Sequence, residues 1–209
     1  MGGEMLDKKE TKIGCKCRKA EITIADGTAI HRILCACEDC RQALEWASLH
    51  GAEKPDTLQD LYYLPSDILG WKGEDYMRAV KLREDGQAIR VFCKNCFSMI
   101  VVDHPVYQSN VLCVAPKHCE SDFDLNLPPK TYLCMNEFKG DPNFEPLANV
   151  PVIHSLKYNE ERKRYFNLPS TSRAKRPRTE DPQGRTLTAF LQKLEPIEVL
   201  SLNRGENLL

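Results

Sequence analysis

Seven of the ten cysteines in this 209-residue chain stand in three tight groups. Cys15 and Cys17 form C-x-C. Cys35, Cys37 and Cys40 form C-x-C-x-x-C, and Cys93 and Cys96 form C-x-x-C. Thiolates this close in sequence bridge one another poorly, because a disulfide needs its own Cβ separation and torsion. They suit Zn²⁺, which takes thiolate ligands at about 2.3 Å in a tetrahedron. The polar start MGGEMLDKKE lacks the apolar core of a secretory signal, so a reducing compartment is expected, where stable disulfides are rare. The expected location is cytoplasmic, with a nuclear alternative raised by Lys175-Arg176-Pro177-Arg178.

The seven divide by chemistry into four and three. A structural zinc site is closed by four protein ligands, whereas a catalytic one has three and keeps a position open. The early C-x-C and the late C-x-x-C make a Cys₄ set of Cys15, Cys17, Cys93 and Cys96, pinning an N-terminal strand to a later hairpin. Cys35, Cys37 and Cys40 supply three ligands in six residues. Two Zn²⁺ per chain are therefore expected. An open zinc could act as a Lewis acid on a hydroxyl or carbonyl oxygen, or hold an incoming thiolate. The alternative is a second closed site whose fourth ligand is His31, His50, His104, His118 or Cys113. Arg32 and Arg41 flank the three-cysteine group and are candidates for pairing with ligand carboxylates. Cys113 and Cys134 sit in apolar surroundings and read as buried free thiols. Cys119, beside His118, reads as a loop thiol.

Short strands must carry these groups. Residues 20–24 alternate (AEITI) and end at the turn Asp26-Gly27. Residues 29–34 run as a strand into Cys35, and a short helix over 41–49 follows. Residues 61–64 form a strand stopped by Pro65. Strands over 76–82 and 88–92 flank the turn signal Glu84-Asp85-Gly86-Gln87, a hairpin that delivers Cys93 and Cys96. Strands over 98–102, 110–114 and 131–135 complete a mainly β, mostly antiparallel body with few short helices.

Gly14-Cys15-Lys16-Cys17, Cys35-Ala36-Cys37-Glu38-Asp39-Cys40-Arg41 and Phe92-Cys93-Lys94-Asn95-Cys96 together resemble the glutathione-dependent formaldehyde-activating enzyme family, also called the centromere protein V family. The resemblance covers roughly residues 11–155. It implies an antiparallel β-tent, a structural zinc at Cys15, Cys17, Cys93 and Cys96, and a catalytic zinc at Cys35, Cys37 and Cys40. The activity implied is that of a carbon–sulfur lyase acting on a glutathione adduct such as the formaldehyde thiohemiacetal. Ala36 stands where the family usually has His.

Composition limits other partners. Lys+Arg 29 against Asp+Glu 30 leaves a net charge of −1, so the body lacks the basic excess that nucleic acid would require. No run of 18 apolar residues exists, and no membrane partner is expected. The zinc-binding domain is expected over 1–160, followed by a C-terminal extension over 161–209 with ten Lys/Arg and six Asp/Glu. In it, residues 168–183 read as a linker able to make weak nucleic-acid contacts. Leu187, Phe190, Leu191 and Leu194 make the apolar face of a short helix, which must dock on its own domain or on a protein partner. Two other readings stand beside the lyase. One is a non-enzymatic nuclear zinc module binding protein or chromatin; the other is thiol–disulfide exchange through Cys93 and Cys96.

Overall fold

The computed structural model describes residues 9–175 and 186–209. The Arg176–Arg178 part of the basic motif lies outside them. The strands are β1 (Thr11–Gly14), β2 (Glu21–Ile24), β3 (His31–Cys35), β4 (Gln59–Pro65), β5 (Ile68–Lys72), β6 (Met77–Lys81), β7 (Ile89–Cys93), β8 (Met99–Asp103), β9 (Val111–Val114), β10 (Glu120–Ser121), β11 (Thr131–Leu133), β12 (Val152–Ile153) and β13 (Glu198–Val199). The helices are α1 (Glu38–Leu49), α2 (Asn159–Phe166), α3 (Pro169–Ala174) and α4 (Leu187–Lys193). The fold is mainly β, in two mostly antiparallel sheets. The smaller sheet has the order β10-β1-β2-β5 and the larger β12-β11-β3-β4-β9-β8-β7-β6-β13. Parallel pairing occurs at β11 with β3 and β12, and at β13 with β6.

Both faces of the large sheet are covered, and alternation along each strand divides its side chains between two cores. Leu61 and Tyr63 of β4, Phe92 of β7, and Val111 and Cys113 of β9 pack with α1 on one face. Tyr62 and Leu64, Val91 and Cys93, and Leu112 and Val114 face the other way, against Ile13, Ile22 and Ile24 of the small sheet. β4 ends at Pro65, as the sequence predicts, and starts two residues earlier than expected, at Gln59. Pro65 lies opposite Val111, where a missing N–H is tolerated.

The stretch expected as linker and tail is folded onto the body over its described part. Tyr165, Thr171 and Ala174 are buried, and 169–174 is helical rather than linker. Leu187, Phe190 and Leu191 of α4 are buried beside the small sheet, with Phe190 5.2 Å from the Trp71 ring. The apolar face of α4 is thus covered by its own domain. Tyr165 and Ala174 pack in the core on the α1 face, and Leu187, Phe190 and Leu191 in the core on the other. Among the described residues, no helix is long and apolar enough to cross a membrane.

Candidate metal centres

The four-cysteine group is built from two turns. Cys15 follows β1, and the turn through Arg18 (φ 62°) brings Cys17 back beside it. Cys93 ends β7, and the turn through Phe97 (φ 54°) returns the chain to β8 with Cys96 inside it. Backbone N–H groups point at the sulfurs: Ala20 donates to Cys15 at 3.3 Å and Asn95 to Cys93 at 3.4 Å. Cys15 and Cys17 Sγ lie 3.4 Å apart, and Cys17 and Cys93 Sγ 3.6 Å. All four sulfurs lie within 4.8 Å of one another. A tetrahedron of thiolates at 2.3 Å has edges of about 3.8 Å, so the set fits a tetrahedral ion. Burial pushes the Cys15 thiol up and Cys93 to about 12. Cys17 is lowered to about 6: burial opposes this, but the Lys19 backbone N–H and hydrogen bonding with Cys15, Cys96 and Cys93 outweigh it. The contacts at Cys17 favour thiolate, the form a metal takes.

The three-cysteine group sits where β3 meets α1. Cys35 ends the strand, Cys37 is the N-cap of the helix, and Cys40 lies in its first turn. The Cys40 N–H donates to Cys37 Sγ at 3.3 Å, so a sulfur takes the place of the usual capping oxygen. The Glu38 N–H donates to Glu137 Oε2 at 2.7 Å, fixing the same turn. The three sulfurs also lie within 4.8 Å of one another. Hydrogen bonding from Cys35 and Cys37, helped by the Arg90 charge, holds Cys40 well below the usual thiol range. The positive end of the helix favours an anion there as well.

No histidine or further cysteine among the described residues joins either group at ligand spacing. His31 is buried against Tyr63 and Tyr165, and His50 stacks on Phe97. His118 is buried and pushed down to about 4 by desolvation. His104 and Cys113 do reach the neighbourhood, because both line a cavity of about 470 Å³ that Cys37 and Cys40 also line. Cys134, read from sequence as a bystander, is a neighbour of the group: its hydrogen bond with Cys35 is the main reason the Cys35 thiol is pushed up. The β11–β3 register, Leu133 opposite Cys35, brings it there.

Arg32 and Arg41 are not among the residues lining the cavity. Arg32 makes two hydrogen bonds to Asp60, at 2.8 and 2.9 Å, and a third to the Leu127 carbonyl. Arg41 is held by Glu45, four residues along α1, at 2.6 Å. The arginines that line the cavity are Arg90 and Arg204, which sequence reasoning missed. Tyr63 and Tyr107 line it too. Burial raises both hydroxyls, so they stay protonated.

The C-terminal segment holds α1 in place. Gln42 Nε2 donates to the carbonyls of Asn203 and Glu206 at 2.8 and 2.9 Å. Arg83 reaches Asp39 at 2.7 Å and also contacts Gln42. No protein-family model and no curated protein matches the chain.

Proposed function

We propose that the chain is a zinc-dependent carbon–sulfur lyase acting on adducts of glutathione or a related thiol, of the formaldehyde thiohemiacetal type that its cysteine pattern resembles. The observation that carries this reading is that Cys37 and Cys40 line a cavity of about 470 Å³. A three-thiolate group opening onto a cavity is what an open metal site requires, and the four-cysteine group has the four ligands of a closed one. A zinc ion held by Cys35, Cys37 and Cys40 would supply a Lewis acid with one position left for the ligand.

The chain's own residues do the rest. Leu44, Leu61, Met99 and Val111 give the cavity apolar walls that exclude water. The Tyr63 and Tyr107 hydroxyls stay protonated, and Tyr107 shares a hydrogen bond with Tyr165 at 2.8 Å, so Tyr63 is the one we assign to an adduct oxygen. In the cleavage direction the C–S electron pair goes to sulfur and the adduct's hydroxyl proton leaves, giving formaldehyde and a thiolate. The reverse makes the C–S bond. Zinc content measured with turnover of glutathione and formaldehyde tests this. Wild type should hold two zincs, and Cys37→Ser one with turnover abolished. A Cys37→Ser protein that loses a zinc and keeps full turnover would sink the reading.

A further inference from the structure

We propose that Arg90 forms an anion-binding subsite beside the three-cysteine group, so that the thiol handled there carries a carboxylate a few bonds from its sulfur. The proposal rests on the reading of that group as an open metal centre, and it adds to the proposed thiol ligand a carboxylate that Arg90 recognises.

Arg90 lies on β7, is 4% exposed and lines the same cavity as Cys37 and Cys40. Its two hydrogen bonds are long and go to carbonyls: Nη1 to Ala88 at 3.4 Å and Nη2 to Asp39 at 3.3 Å. No carboxylate among the described residues pairs with it. The other well-buried arginines differ: Arg41 has Glu45 at 2.6 Å and Arg83 has Asp39 at 2.7 Å. The carboxylates that reach this cavity are already taken, Asp39 by Arg83 and Asp85 by Arg204 at 3.0 Å. A guanidinium offers five N–H donors in a planar fork matched to a carboxylate. Two weak carbonyl contacts leave most of that fork for a ligand in the cavity.

Placement sets the ligand's size. The Asp39 carbonyl that Arg90 touches belongs to the residue immediately before Cys40. A molecule with its sulfur at the open position beside Cys37 and Cys40 therefore needs its anion only a few bonds away. The thiolate cluster accounts for part of the charge balance around Arg90, since the guanidinium also helps keep Cys40 ionised. The experiment must separate that supporting role from ligand recognition.

The test is calorimetric titration of the zinc-loaded full chain with 3-mercaptopropionate and with its neutral methyl ester. A charge-assisted hydrogen-bond pair corresponds to a preference of roughly tenfold to a hundredfold for the acid. That preference should vanish in Arg90→Gln, survive in part in Arg90→Lys, and persist in Arg204→Gln, with two zincs retained throughout. Where Arg90→Gln does not fold, Arg90→Lys and the wild-type pair of ligands decide. Equal binding of acid and ester by wild type overturns the subsite and leaves the metal centre standing. Binding of neither overturns both. Loss of a zinc in the Arg90 variants, or loss of the preference only in Arg204→Gln, also overturns the assignment to Arg90.

Discussion

Replacing one ligand in each cysteine group should destabilise the fold to very different extents. Cys93 is fully buried at the end of β7, and its group joins the β1–β2 turn to the β7–β8 turn. Structural zinc in small modules binds with an apparent free energy of about 10–16 kcal/mol, comparable to the whole stability of a domain. Losing even a third to half of that, about 5 kcal/mol, would lower Tm by roughly 10–20 °C in a chain of this size. Cys93→Ser should thus be metal-poor, melt early and aggregate. Cys37 is half-buried and caps α1 through its side chain. Serine is itself a favoured N-cap, so Cys37→Ser keeps the helix start while removing a ligand. Its Tm should fall by only a few degrees, with metal content dropping from two to one. Metal analysis and thermal unfolding of both variants provide the assay. A Cys93→Ser protein with two metals and wild-type Tm, or a Cys37→Ser protein that unfolds as badly as Cys93→Ser, would refute the division into a structural and an open centre.

Phe190→Ala should destabilise the protein by about 3–5 kcal/mol, because the ring is fully buried against Trp71; urea unfolding reads this directly, and a change under 1 kcal/mol would mean that α4 does not dock. Stability should also fall in acid through His31, which burial lowers to about 4. The unfolded chain binds a proton near pH 6.5 that the folded chain refuses until about 4, so this stability is complete above 6.5 and is lost as pH falls toward 4. The full effect is about 3 kcal/mol, and His31→Gln should remove up to one proton from the measured slope. Arg204→Ala should change stability by less than about 1 kcal/mol, since its ion pair with Asp85 is 58% and 69% exposed; a Tm drop of many degrees would show that this contact holds the C-terminal segment down.

The strands around the site were legible because their alternation is strong, and both cysteine groups were legible because their members come in tight knuckles, one knuckle for Cys35, Cys37 and Cys40 and two knuckles 76 residues apart for the other four. Cys35, Cys37 and Cys40 need only a strand end and one helical turn to meet. What surrounds them was not legible, because it depends on strand order. Cys113 reaches the cavity because β9 lies beside β4 with Tyr63 opposite it, and Cys134 reaches Cys35 because β11 runs parallel to β3. Arg90 is one of several cations in the sequence until β7 points it under α1. Arg41 could have been set aside earlier, as its partner Glu45 stands four residues along the same helix. The C-terminal stretch misled for another reason. Its buried residues, Tyr165, Thr171 and Ala174, are sparse among charged neighbours, so composition reads as linker while single side chains complete the core.

The two groups use the same ligand atom, and what differs is where their compensating charge comes from. Four thiolates carry two more negative charges than a divalent ion neutralises. Around the four-cysteine group cations are interleaved with the ligands in sequence, Lys16, Arg18 and Lys19 beside Cys15 and Cys17 and Lys94 between Cys93 and Cys96, with Lys16 itself paired to Glu53. Lys19 and Lys94 are tied to Asn95 and to the Asp75 carbonyl on the protein's exterior. That compensation is local and owes nothing to a ligand. Around the three-cysteine group the support comes from the start of α1 and from Arg90, and Arg90 also faces the cavity. An anion entering there would sit beside the Arg90 charge, which adds to the Cys35 and Cys37 hydrogen bonding that lowers Cys40. On the proposed reading, filling the cavity changes the charge beside Cys40, whereas none of the four cysteines of the other group lines that cavity.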